Sequence, residues 1–167
     1  MPYEMKVDGM AEISTLLDKM DKEAPKVAAR ALYEGAGIMA DEIKKGAGLI
    51  KTAPFKYAGN GESRLPSPEE KEIVTAAAAG IAKFNKNGTE VDTSVGFRNS
   101  GYAELKGKMV PIPRIVNAIN SGTSFMNKQP FVRKAAKAAS PKALDAMRKR
   151  IEEEFEAIGK QYQATMK

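Results

Sequence analysis

The side chains in this sequence best suited to chemistry are cations. Lys128, Arg133, Lys134, Lys137, Lys142, Arg148, Lys149 and Arg150 follow one another with only Asp145 among them. Ammonium and guanidinium groups at this density match phosphates or a carboxylate-bearing protein face. Lys128, Arg133, Lys134, Lys137, Arg148, Lys149 and Arg150 therefore form a candidate face for DNA or for an acidic partner. Glu152, Glu153, Glu154 and Glu156 follow at once, so one helix passes from basic to acidic. A solvated helix surface has the same spacing, and that plainer account stands beside the functional one. The net charge of +6 favours anionic partners and says nothing about fold.

Other chemistries lack their residues. Histidine and cysteine are both absent. That removes the commonest general base and the usual ligands of zinc and haem, and with them Ser-His-Asp and Cys-His nucleophiles. Carboxylates alone could hold a metal or move a proton, but here they recur at helical surface spacing and not in pairs. We assign no catalytic, cofactor or metal-binding residue and expect no enzyme. Gly35-Ala36-Gly37-Ile38-Met39-Ala40 fits G-x-G-x-x-A, yet a helical run, not a strand, precedes it, so it is no dinucleotide site. Phe97 and Tyr102 stand too far apart from other aromatics to form a base-stacking platform.

The 167 residues suit one domain, 1–167, and 43% hydrophobic residues suffice for a core. No apolar run is long enough to span a membrane, and MPYEMKVDGMAEI lacks the order of a signal peptide. The absence of cysteine leaves the redox compartment undecided. The expected class is α+β: several amphipathic helices packed on a small antiparallel β-sheet, a long glycine-rich loop and a C-terminal helix.

Helices are expected over about 9–46 in two pieces. Ile13, Leu16, Leu17 and Met20 mark the first, with Asp8 as cap. The second starts near Ala24, with Pro25 in its first turn, and buries Val27, Ala31, Gly35, Ile38 and Ile43. Its many small residues predict close packing on another helix or a sheet. Residues 46–66 form a glycine-rich loop, in which Leu49, Ile50, Phe55 and Tyr57 suggest docking. Ser67-Pro68-Glu69-Glu70 reads as a capping box opening a helix over 67–79. A β-hairpin follows over 80–97, with its turn at Asn85–Gly88 and Val91, Thr93 and Val95 on one face. Residues 98–113 read as irregular. A short helix from Arg114 to Asn120 leads to a corner, and Ser140-Pro141 restarts the C-terminal helix. Its stripe of Leu144, Met147, Ile151, Phe155, Ile158 and Tyr162 resembles a coiled-coil seam. A helix lying on its own domain's sheet is the favoured account of that stripe. No internal repeat is visible.

The corner has the most particular wording, INSGTSFMNKQPFVRKA. Gly122 can take positive φ and close a helix. Thr123 and Ser124 can bond nearby backbone. Pro130 suits the first turn of the next helix. Phe131 can insert into the core, where its burial stabilises by roughly 1.5–3 kcal/mol. Phe125 and Met126 in the corner, with Phe55 and Tyr57 in the loop, are the candidate subunit interface.

Ser121, Gly122, Thr123, Ser124, Pro130, Phe131, Arg133 and Ala135 resemble the "E-x-G-T-S…PF-[LV]-R-x-A" signature of a phage neck and tail-component family, named for gene product ten of phage Hong Kong 97. ALYEGAGIMADEIKKGA resembles that family's second helix, and GTEVDTSVGF its strand ending in V-G. The likeness runs from about Ile13 to Ala139, in the same order. Asn120 stands where the family often has an acid, and the glycine-rich loop replaces its T-G-x-L stretch. The resemblance implies a structural virion protein of the head–tail junction without cofactor or membrane, made in the host cytoplasm. It implies a ring, taken here as a hexamer, around the DNA channel, between head-completion and tail-terminator or tail-tube proteins. The alternative is a sequence-nonspecific nucleic-acid-binding protein using the 128–150 basic segment.

Overall fold

The computed structural model describes residues 10–57, 61–77, 79–87, 90–98 and 100–165. Asp8, and Gly88 of the hairpin turn, lie outside them. The fold is α+β. Two long helices, α1 (Met10–Gly48) and α4 (Phe131–Thr165), pack on each other. At 1.5 Å per residue they are roughly 58 and 52 Å long. They run antiparallel: Gly46 lies against Phe131 and Ala135, Gly35 against Met147, and Arg30 against Glu154.

Neither expected helix break occurs. Pro25 lies inside α1 and Pro141 inside α4. Each removes an internal hydrogen bond, which usually costs about 3 kcal/mol. Packing on both sides offsets that cost. Ala139 and Ala143, which flank Pro141, are both 0% exposed. Val27 and Ala31 continue the α1 stripe in phase past Pro25 and are buried. Local rules stop helices at prolines; a continuous partner keeps these two going.

The C-terminal stripe also needs correction. α4 lies chiefly along α1, not on a sheet. The alanines Ala135, Ala139 and Ala143 are buried, whereas Leu144 is exposed. Small residues let the two helices approach: a Cβ on Gly46 would sit 3.3 Å from the Phe131 carbonyl oxygen, and Met147 fills the space over Gly35. From Val27 on, the expected α1 stripe is where it was placed, with Val27, Ala31, Gly35 and Ile43 buried and Ile38 half-buried; of the first piece's stripe, Ile13 and Leu17 are exposed and Leu16 and Met20 half-buried.

The remaining elements pack along the C-terminal half of α1, with Phe84 of the first hairpin reaching Tyr33. Helix α2 (Pro68–Ala77) precedes a long hairpin of β1 (Gly80–Ile81), β2 (Asn85–Asn87), β3 (Glu90–Asp92) and β4 (Val95–Gly96). β1 pairs with β4 and β2 with β3. Asn85–Asn87, expected to begin the turn, is a strand. Between the two ladders, residues 82–84 face only 93–94, the signature of a bulge. Ala82 N donates to Ser94 O at 2.7 Å and Thr93 Oγ1 to Ala82 O at 2.8 Å, which ties the bulge down. Val91, Thr93 and Val95 are half-buried and alternate with exposed Glu90, Asp92 and Ser94, as the period of two predicts.

The 98–113 stretch is not irregular. It contains a second hairpin, β5 (Tyr102–Leu105) and β6 (Lys108–Pro111). Lys106 and Gly107 both have positive φ, 52° and 74°, as a two-residue type I′ turn requires. Helix α3 (Ile112–Ser121) then buries Ile112, Ile115, Val116 and Ile119 on one face. These four join Ile43, Ile50, Val74, Phe97, Met126 and Phe131 in the core.

Candidate functional site

The corner between α3 and α4 is closed by its own hydrogen bonds. Gly122 has φ 77°, and its N–H bonds Ala118 O, ending α3. Thr123 and Met126 pair across a tight turn, with N–H···O distances of 3.0 and 3.3 Å, and Phe125 N donates to Thr123 Oγ1. Ser124 is exposed. Gln129 N reaches back to Ile119 O at 2.7 Å. Pro130 sits one residue before α4 and not inside it. Its carbonyl accepts from Lys134 N, so it fills the N-cap position. Phe131 is buried with its ring centroid 6.2 Å from that of Phe97.

The glycine-rich loop is clamped to this corner. Arg64 N donates to Phe125 O, and Asn127 N donates to Arg64 O, at 2.9 and 2.8 Å. The Arg64 guanidinium also makes two 2.7 Å bonds to the Glu70 carboxylate. Glu70 accepts from Ser67 N, and Ser67 Oγ accepts from Glu70 N, which completes the expected capping box. Burial alone would raise the Glu70 pKa. The bonds from Arg64 and Ser67 outweigh it and hold the carboxyl below its ordinary value. Arg64, Asn120 and Gln129 were not legible as site residues in the sequence, because folding alone brings Arg64 to the 125–127 backbone, Asn120 to Val132 and Gln129 to Lys51.

The four candidate interface residues separate. Met126 is 3% exposed and belongs to the core, a correction to its place among subunit contacts. The turn folds it inward because both its backbone groups bond Thr123. Phe125 beside it is 48% exposed and Tyr57 88%. Phe55 is half-buried, edge-on to Tyr57, and covered by the Arg64 and Lys106 cations.

The basic segment separates too. Arg148 and Lys149 lie 3.7 and 3.8 Å from Asp145 and Glu153 of their own helix, and Arg150 bonds Glu154 at 2.9 Å. Glu154 also pairs with Arg30 of α1. Lys128, Arg133, Lys134 and Lys137 are exposed and form no ion pair among the described residues. They gather at the corner and the first turns of α4.

Beneath them opens a cleft of about 590 Å³ between the end of α1, the loop and the corner. Leu49, Ile50, Leu65, Phe131, Ala135 and Ala138 line it, and Lys45, Lys51, Lys128 and Lys134 stand around it. Gln129 braces one wall: Lys51 N donates to its Oε1 at 2.9 Å, and its Nε2 donates to Lys51 O at 2.8 Å. Among the described residues, no three acidic side chains come together to hold a metal, and no helix is long and apolar enough to cross a membrane.

Neither a scan against protein-family models nor searches of curated proteins and solved structures return a match to the chain.

Proposed function

We propose that this chain is a structural virion protein of a tailed phage or prophage. It is a neck or tail-completion component that joins head and tail as a ring, a hexamer, around the DNA channel. The observation that carries this is the ordered signature ending in SGTS…PFVRKA. In support, these residues build a corner whose polar groups bond one another. Such a corner sets the angle between two helices and leaves its outer faces for neighbours. Its cations would meet either the DNA or an acidic adjacent ring.

The test is to delete the gene in its phage or prophage, induce, and image the lysate by electron microscopy. Separate DNA-filled heads and tails are the expected result. Heads that have lost their DNA would move the protein to sealing the head. Normal infectious particles would sink the proposal.

One observation favours a second account, sequence-nonspecific nucleic-acid binding. Lys128, Arg133, Lys134 and Lys137 have no carboxylate partner among the described residues. Duplex affinity that falls steeply with salt is its mark, and no retention at low salt removes it.

A further inference from the structure

The corner cleft joins two properties that seldom share a surface by accident. Its lining is apolar, and Leu49 at its edge is 81% exposed. Its surround is cationic: Lys45, Lys51, Lys128 and Lys134 against Glu42 alone. Lys45 is matched by Glu42 at 2.6 Å, while Lys51, Lys128 and Lys134 form no ion pair among the described residues. An open apolar lining rimmed by unpaired cations is complementary to a partner that is both apolar and acidic.

We propose that this cleft docks an acidic amphipathic helix of an adjacent neck protein, with apolar side chains inward and carboxylates on Lys51, Lys128 and Lys134. The inference rests on the neck reading for the partner's origin, and on the cleft for its chemistry. Charge complementarity fixes the sign of the partner. The apolar lining selects protein over nucleic acid, because a phosphate backbone brings nothing to fill a space beside Leu49, Leu65 and Ala138. The loop's Lys51 N–H and C=O are both taken by Gln129, so at this residue the wall has no backbone group free for an extended strand. Ala138, small and exposed on the α4 side, leaves room for a helix to approach.

The test is fluorescence anisotropy with a labelled helical peptide of leucine and glutamate. Its controls replace glutamate with lysine, or leucine with serine. The full chain is compared with Lys128→Glu/Lys134→Glu and with Leu49→Ser, all at exposed positions, each checked by thermal melting. The acidic peptide should bind the native chain, weaken with salt, and lose about tenfold or more in affinity with either variant. Neither control peptide should bind. Absence of binding, or binding indifferent to both variants, overturns the inference. So does duplex DNA that displaces the peptide and binds the Leu49→Ser chain undiminished, which would hand the lysines to nucleic acid. In the phage, a Lys128→Glu/Lys134→Glu chain that still joins heads and tails, where deletion does not, sinks the docking site and spares the neck reading. Peptide binding as expected, together with normal particles after deletion, does the reverse.

Discussion

The side-chain oxygen of Asn120, next to last in α3, accepts a 3.1 Å hydrogen bond from the Val132 amide in the first turn of α4. One helix thus caps the next across the corner and satisfies a donor that α4 cannot satisfy itself. The bond, with Gln129 N on Ile119 O, holds the two helix ends in one geometry.

Asn120→Ala should therefore cost about 1 kcal/mol, in line with other lost N-caps. Asn120→Asp should keep the bond and stay within about 0.5 kcal/mol of the native stability, because the positive end of α4 favours the charge and the negative end of α3 opposes it. Urea unfolding of the two variants checks both. An alanine variant as stable as the native chain would mean that the corner is held by packing alone.

The Arg64–Glu70 pair gives the fold a pH dependence with a definite sign. Glu70 titrates below its ordinary 4.5 in the folded chain. Its contribution is complete above that ordinary value and is lost as pH falls through the lowered one. Acid should therefore destabilise the native chain from about pH 4.5 downward, and Glu70→Gln should flatten that slope. The glutamine variant should also lose about 1.5–3 kcal/mol at neutral pH, because Arg64 is left with a weaker acceptor at 13% side-chain exposure. Urea midpoints at several pH values measure both effects.

What the sequence made legible was mostly local. The Ser67–Glu70 box, the Gly122 helix end and the alternation through Val91 and Val95 all turn on residues a few places apart. The misreadings came where a distant partner overrode a local rule. Pro25 and Pro141 look like helix boundaries until α1 and α4 are seen to support each other across them. The β5–β6 hairpin was missed because its turn is Lys106-Gly107 and not the usual Asn-Gly, and its strands are only four residues each. At the site, the corner was visible as a motif, but the cleft was not. Its walls come from 42–51, 65 and 127–138, and only folding brings them together.

Two glycines of α1, two residues apart, should respond in opposite directions. A Cβ on Gly35 would lie 2.8 Å from Met147 Cγ and Sδ, while one on Gly37 would meet nothing within 4 Å. Gly35→Ala should overpack the helix pair and cost about 1–3 kcal/mol. Gly37→Ala should stabilise by about 0.4–1 kcal/mol, by reducing the freedom of the unfolded chain. Thermal melts of the two variants compare them directly. A stabilised Gly35→Ala would show that Met147 swings clear and that the helices are less tightly matched than their spacing implies.

Phe125 and Met126 offer the sharpest division between a residue for the fold and a residue for neighbours. They are adjacent in one turn, yet Met126 is 3% exposed and Phe125 is 48%. Met126→Ala empties part of the core shared with Ile119 and Phe131 and should cost about 2–5 kcal/mol. Phe125→Ser removes a side chain that the isolated chain leaves about half exposed and should cost about 1 kcal/mol or less, well below the Met126 change. If Phe125 touches a neighbouring subunit in a ring, the serine variant will fold normally and still fail to assemble particles. Assembly at the native level with Phe125→Ser would remove that residue from the interface and leave Tyr57 as the exposed aromatic to test.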